Sequence, residues 1–302
     1  MITDKQRDER AKGIGSSEVA TILRMNRWQS PFDLWAVKTG RAPAIETNDA
    51  MRLGQVLEPT LLQLAGERLG LRVVRPSTTF VGHKPIYRAN IDGMVGEARR
   101  GSDIVEVKTT GVTDGWGKEG TNEVPASVMC QVTYQMACSS SHLAHVACLS
   151  GAFGLAFKLY RVEWDADLAE YILDNVNAWW ERHIVKDEPP EDTGSLDTLK
   201  SLHRTDEVKD MSGHLEKFQI EEAAKLKLVD AERQYEQAKA SLVQALGNAR
   251  RGETGPYSVA VTEVSTDRFD RKAFEAEHAE LASRYIVPAG YKRIDIRKRK
   301  DA

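Results

Sequence analysis

The chain has 302 residues, which is enough for one large domain or two modest ones with a buried core. Hydrophobic residues make up 41% and charged residues 29%, and these values exclude wholesale disorder, a collagen and a membrane channel. The formal charge of −3 lacks the basic excess of a simple nucleic-acid coat protein, so any contact with DNA must be local.

Cysteine use and hydropathy indicate the compartment. The three cysteines, Cys130, Cys138 and Cys148, form no C-x-x-C pair, which favours a reducing environment over a structural zinc site or a disulfide framework. The first ten residues are charged, and no run of eighteen apolar residues occurs, so we expect neither a signal peptide nor a membrane span. A cytoplasmic protein with no membrane partner is predicted.

Three helical patterns precede the first strands. An apolar pattern over residues 15–23 predicts a short helix. Ser30 followed by Pro31 predicts the start of a second helix, which ends at Gly40. A longer pattern over residues 50–69 predicts the third.

A change of composition after residue 70 predicts the sheet. Short β-branched runs, separated by Pro, Gly and Asp-Gly signals, follow one another up to Thr110. A helix from Pro125 to about Ala137 comes next, then two strands around a Ser-Gly turn and another helix. The predicted strands are 72–74, 78–81, 86–89, 104–109, 143–149 and 154–162, and the last helix is 168–184. Helices before and after one group of strands indicate an α/β layered core.

The chain beyond this core divides into a linker and an extension. Residues 186–216 carry nine acidic and four basic side chains, which predicts a solvated acidic linker. We therefore predict a core over residues 1–185 and a C-terminal helical and short-strand extension over 217–302. In the extension, apolar residues recur from Ala224 to Ala245 at spacings of four and three, which predicts pairing with a helix of this chain or of another subunit.

The candidate chemistry lies on one strand and on the loop before it. A β period of two places Glu106 and Lys108 on one face, about 7 Å apart along the strand, with Val105 and Val107 on the other. Asp92 lies in an Asp-Gly turn after an apolar strand, where it is expected to fold back beside Glu106. Two carboxylates, completed by waters and a substrate phosphate, suit Mg²⁺ without any His or Cys ligand. An adjacent lysine amine can activate the attacking water and stabilise charge on the phosphate.

Each of these patterns also has a simpler interpretation, since Glu-x-Lys on a strand is usually a solvated pair and Asp-Gly is usually a turn. Several further motifs nevertheless occur in order. They occupy residues 13–19, 28–40, 53–59, 90–93 and 106–108. With these motifs the chain resembles, from Arg10 to about Arg161, the YqaJ-type viral recombinases and phage lambda exonuclease of the PD-(D/E)xK nuclease superfamily. Ile91 stands where the family has proline, a mild departure because that proline is not a ligand.

The resemblance implies both the fold and the site. The fold would be a PD-(D/E)xK nuclease core, with a central mixed sheet flanked by helices. The cofactor would be Mg²⁺, for which Mn²⁺ can substitute. The metal-site residues implied are Glu58, Asp92, Glu106 and Val107. The catalytic residues implied are Asp92, Glu106, Lys108 and Gln131.

The resemblance also implies a site for the end of the DNA. Arg10 and Ser17, seven residues apart, would bind the 5′ phosphate, and the helix beginning near Ser17 would favour an anion there. Taken alone, Ser17 is equally well an ordinary helix N-cap.

The predicted function is a metal-dependent exonuclease that resects linear double-stranded DNA from 5′ to 3′ for phage single-strand-annealing recombination. Double-stranded DNA ends, an annealing protein and further copies of the chain in a ring, such as a trimer, are the partners implied. Two alternatives stay open: an endonuclease or nickase with the same site, and a catalytically silent DNA-binding recombination module. Cutting of closed circles distinguishes the first alternative, and DNA binding without turnover the second.

Overall fold

The computed structural model describes residues 12–44, 47–151, 154–265, 270–285, 294 and 296. They form two compact units, of which the first extends to His203 and the second begins at Arg204. No helix within these described ranges is long and apolar enough to cross a membrane.

The described residues of the first unit form eight strands with flanking helices. Its strands are β1 (Ile14–Gly15), β2 (Val73–Val74), β3 (Phe80–Val81), β4 (Tyr87–Ala89), β5 (Gly93–Val95), β6 (Ile104–Thr110), β7 (Leu143–Ser150) and β8 (Ala156–Glu163). Its α-helices are α1 (Val19–Ile22), α2 (Pro31–Lys38), α3 (Asp49–Leu69), α4 (Ala126–Ser139), α5 (Ala166–Trp179) and α6 (Leu196–Ser201). A 3₁₀ turn, Ser16–Glu18, precedes α1, and a π-helical segment, Trp180–Val185, follows α5.

The central sheet has five strands in the order β2-β5-β6-β7-β8. Strands β6 and β7 are parallel and the other neighbours are antiparallel, so the sheet is mixed. A smaller sheet has the order β1-β4-β3. The predicted α/β fold, with a central mixed sheet flanked by helices, is confirmed.

Helix α4 lies in the main core and joins the two sheets. It buries apolar residues such as Val132 and Met136 among side chains of both sheets. Tyr134 donates a hydrogen bond to the carbonyl of Ile14 at 2.8 Å and accepts one from the backbone N–H of Arg88 at 3.2 Å. These bonds fix β1 and β4 against the helix.

The helix boundaries follow local rules. Ser30 caps α2 by accepting a hydrogen bond from the backbone N–H of Asp33, with Pro31 as the first helical residue. Gly70, at φ 65°, ends α3 in the left-handed region, where glycine has no Cβ penalty. Both boundaries agree with the prediction.

Two strands of the first unit were not predicted, and one of them corrects the expected Asp-Gly turn. Strand β1 has only two residues, too few for a periodic signal. Gly93 is the first residue of β5, so the chain bends at Asp92 and passes directly from the small sheet into the central one. Asp92 is therefore positioned by the register of β5.

The second unit consists of a long helix, a hairpin and two short helices. Its elements are a 3₁₀ turn (Ser212–His214), α7 (Leu215–Leu246), β9 (Arg251–Thr254), β10 (Tyr257–Ala260), α8 (Arg271–Glu277) and α9 (Ala279–Ser283). No residue of α7 is buried, although Leu242 and Ala245 near its end line a cavity together with residues of the hairpin. His278 separates α8 from α9.

Candidate active site

The pairing of β5 with β6 positions Asp92 in the candidate site. Gly93 pairs with Val105, so an antiparallel register places Asp92 level with Glu106. Asp92 Oδ2 accepts a hydrogen bond from the backbone N–H of Val107 at 2.9 Å. Asp92 and the strand that carries Glu106 are therefore in direct contact.

Gly93 is required for this approach by packing. A Cβ atom at this position would lie 2.6 Å from Leu62 Cδ2 and 2.8 Å from Val73 Cγ1. A side chain at position 93 would therefore displace Leu62 and Val73, so glycine lets α3 and β2 approach β5 closely.

Glu106 is the centre of a hydrogen-bond network. It is 3% exposed. Its Oε1 accepts from Lys108 Nζ at 2.7 Å and from Gln131 Nε2 at 2.6 Å, and its Oε2 accepts from Gln135 Nε2 at 2.7 Å. Lys108 Nζ also donates to Gln131 Oε1 at 2.8 Å. Strand β6 and helix α4 therefore hold the carboxylate in one orientation.

The charges in this site are not balanced. Burial raises the pKa of Asp92 well above its ordinary value, and the negative charge of Glu106 adds to the rise. The hydrogen bond from the Val107 N–H and the positive charge of Lys108 lower the pKa by less. Burial by itself lowers the pKa of Lys108. The negative charge of Glu106 and its hydrogen bond to Lys108 together raise the pKa by more, so the net shift is upward. Two acidic groups therefore share one ammonium, and the site favours an additional cation.

The donor set fits a hard divalent cation. Asp92 and Glu106 are oxygen donors on adjacent strands, and Val107 between Glu106 and Lys108 offers a backbone carbonyl. Glu58 does not complete the set, because its Oε1 lies 2.6 Å from Arg75 Nη2. Within the described ranges no three His, Cys, Asp or Glu side chains form a group that could hold a metal ion.

The raised pKa of Asp92 predicts the effect of Asp92→Asn on the stability of the metal-free protein. A carboxyl whose pKa is higher folded than unfolded destabilises the fold as pH rises from the unfolded value through the folded one. In EDTA at pH 7, we expect Asp92→Asn to raise the free energy of unfolding by about 1 to 2 kcal/mol, and the melting temperature by about 2 to 8 °C.

Melting curves of both proteins from pH 4 to pH 8 in EDTA test this prediction. The gain should shrink as the pH falls, because wild-type Asp92 is then protonated. A variant that is less stable than wild type at pH 7 would show that Asp92 is compensated in the folded protein.

A cleft opens beside Asp92. It has a volume of about 180 Å³, and its lining residues are Gly15, Ser16, Ser17, Thr79, Arg88, Asn90, Asp92 and Gln131. In β4 and the residues after it, Tyr87, Ala89 and Ile91 are buried in the core. The intervening Arg88, Asn90 and Asp92 line the cleft, as the period of two requires.

The structure places Ser17 in this cleft but changes the reason for expecting an anion there. Ser17 is exposed and belongs to a 3₁₀ turn of only three residues, so the expected helix N-terminus is absent. The backbone N–H of Gly15 donates to Glu18 Oε2 at 2.7 Å and is already occupied. Arg10 lies outside the described residues. Arg88, on the cleft wall, supplies positive charge instead.

Two residues of the site were missed in the sequence. Gln135 is 1% exposed and binds Glu106 directly. It follows Gln131 by four residues, and the helical spacing i, i+4 could have indicated a shared face. Arg88 precedes Asp92 by four residues, and the strand period could have placed both in one cleft.

Comparison with known proteins finds similarity to one family. Residues 7–142 match the model of the YqaJ-like viral recombinase domain. This part of the chain is therefore similar to that domain. The chain is 26% identical over 314 residues to the uncharacterized protein YqaJ of Bacillus subtilis (strain 168), a match that covers 99% of this chain and 95% of the relative.

The fold is also similar to that of a solved structure. The alkaline exonuclease LHK-Exo from Laribacter hongkongensis superposes with a TM-score of 0.50 at 21% identity, over 61% of this chain and 94% of that one. A phage-related exonuclease from Haemophilus somnus 129PT has a TM-score of 0.44 at 14% identity, over 58% of this chain and 96% of that one. The likeness to LHK-Exo agrees with the predicted fold, a central mixed sheet flanked by helices.

Proposed function

We propose that this protein is a divalent-metal-dependent exonuclease acting on the ends of double-stranded DNA. The observation that carries the proposal is the convergence of Asp92, Glu106 and Lys108 beside a cleft that contains Arg88 and Ser17. Acidic oxygens that attract a divalent cation lie next to groups that attract a phosphate.

Each residue has a distinct part in the proposed hydrolysis. Asp92 and Glu106, with the carbonyl of Val107, would hold Mg²⁺ or Mn²⁺. When bound, the cation supplies Lewis acidity toward a phosphodiester oxygen. The Lys108 ammonium would orient the attacking water and stabilise negative charge on the phosphate. Its raised pKa favours this over the part of a base. Gln131, which is hydrogen-bonded to both side chains, would hold Lys108 and Glu106 in their relative positions.

The cleft favours a terminal phosphate. Arg88 brings a guanidinium, a strong hydrogen-bond donor to phosphate, to the cleft wall, with its Nε donating to the carbonyl of Pro85 at 3.1 Å. The exposed Ser17 lines the same cleft. A structure of LHK-Exo is described as a complex with dAMP, a nucleoside monophosphate. We therefore propose resection from the 5′ end, which exposes a single strand for an annealing partner. Further copies of the chain are proposed to form a ring that retains the duplex.

Linear duplexes labelled at one 5′ or one 3′ end test the activity and its polarity. With Mg²⁺, we expect the 5′ label to be released first, and faster from a 5′-phosphorylated end than from a 5′-hydroxyl end. Covalently closed circles of the same sequence should stay intact. Cutting of the circles would establish an endonuclease, and binding without turnover in Mg²⁺ or Mn²⁺ would establish a silent DNA-binding module.

A further inference from the structure

Glu58 is held by an ion pair with Arg75. Arg75 Nη2 lies 2.6 Å from Glu58 Oε1, with the glutamate side chain 17% exposed and the arginine side chain 62% exposed. Glu58 Oε1 is itself buried and accepts no hydrogen bond of normal geometry from the described residues. The contact is therefore mainly one of charge, which another cation can replace.

Glu58 lies close to the site centred on Asp92. It precedes Leu62 by one turn of α3, and Leu62 is the side chain that packs against Gly93, next to Asp92. The negative charge of Glu58 contributes to the raised pKa of Asp92. Glu58 is therefore a third carboxylate near Asp92 and Glu106, and Arg75 offsets part of its charge.

The guanidinium of Arg75 is also accessible from solvent. It lies at the edge of a groove of about 610 Å³ between α3 and β2. A guanidinium forms its strongest paired hydrogen bonds with carboxylates and phosphates, so DNA can compete with Glu58 for it.

We propose that Arg75 is a positioning residue that exchanges partners, from Glu58 in the free protein to a DNA phosphate in the loaded one. A divalent cation takes the released carboxylate of Glu58 and completes the set with Asp92 and Glu106. This inference rests on the proposed function for its substrate. A cation bound to Glu58 frees Arg75 for DNA, and a phosphate bound to Arg75 frees Glu58 for the cation. Metal and DNA therefore bind cooperatively.

Calorimetric titration of the full chain with Mn²⁺ in the absence of DNA tests the first half of the exchange. Arg75→Gln should bind Mn²⁺ about three to ten times more tightly than wild type, because the competing cation is gone. Arg75→Lys, which keeps the charge, should stay near wild type. In a Glu58→Gln background, Arg75→Gln should have no effect.

Arg72→Gln is the matched control, since it removes an exposed arginine three residues earlier that is not part of the ion pair. Melting curves of all variants establish that they are folded. Equal or weaker Mn²⁺ binding by Arg75→Gln, including no binding by either protein, would overturn the proposal. So would the same gain in the Glu58→Gln background.

Binding of a duplex end in EDTA tests the second half. Glu58→Gln should bind DNA about threefold more tightly than wild type, because Arg75 is free for phosphate, and the gain should vanish when Arg75→Gln is added. No gain would overturn the exchange. Neither assay requires DNA cleavage. If both binding predictions hold but the protein does not cut DNA, the proposed function is refuted and the partner exchange of Arg75 still stands.

Discussion

Replacing Lys108 with methionine is expected to lower the rate of DNA cleavage by about a thousandfold. Methionine keeps the apolar length of lysine and removes the ammonium, whose Nζ lies 2.7 Å from Glu106 Oε1. The loss should lie in kcat, because a group that stabilises charge developing on the phosphate acts mainly in the transition state. Single-turnover cleavage of a 5′-phosphorylated duplex measures it.

Lys158→Met is the matched control for this experiment. Lys158 lies two strands away from Lys108, since both pair with Cys148 on opposite edges of β7. We expect the control to cleave at nearly the wild-type rate and both variants to bind DNA in EDTA. If Lys108→Met cleaves within about fivefold of wild type, the ammonium has no part in the chemistry.

Replacing Gln135 with leucine is expected to impair both stability and activity. The change leaves Glu106 Oε2 buried without the donor that lies 2.7 Å away. An unsatisfied buried acceptor costs about 1 to 3 kcal/mol of unfolding free energy, and loss of a group that orients a proposed metal ligand costs about ten- to a hundredfold in activity. Thermal melting and cleavage rates measure the two effects.

Thr133→Val distinguishes this effect from a general sensitivity of α4. Thr133 is 1% exposed, and its hydroxyl has no hydrogen-bond partner among the described residues. Valine should therefore be tolerated with little change in melting temperature or cleavage. A Gln135→Leu protein that behaves like Thr133→Val would show that Glu106 does not depend on Gln135.

The part of the site that follows from one strand could be predicted from the sequence. The alternation along β6 fixes Glu106 and Lys108 on one face, and their 2.7 Å contact agrees with it. The helix carrying Gln131 begins after Pro125, as expected, and Gln131 contacts both side chains. Local periodicity and helix start signals are sufficient here, because each depends on neighbouring residues.

The rest of the site depends on contacts between distant parts of the chain. Asp92 reaches Val107 through the register of β5, and the absence of a side chain at Gly93 leaves room for Leu62 beside that strand. The ion pair between Glu58 and Arg75 joins α3 to the residues around β2. No local pattern encodes these approaches, so the sequence predicted a turn at Gly93 and did not reveal Arg75.

Cleavage of a linear, 5′-phosphorylated duplex by wild type and by Asp92→Asn, compared at the same Mg²⁺ concentration, tests the central claim most directly. Since Asp92→Asn is expected to be folded and more stable than wild type in EDTA, a loss of activity cannot be attributed to unfolding. We predict that wild type releases nucleotides from the DNA end and that Asp92→Asn does so at least about a hundredfold more slowly. Equal rates for the two proteins would contradict the account.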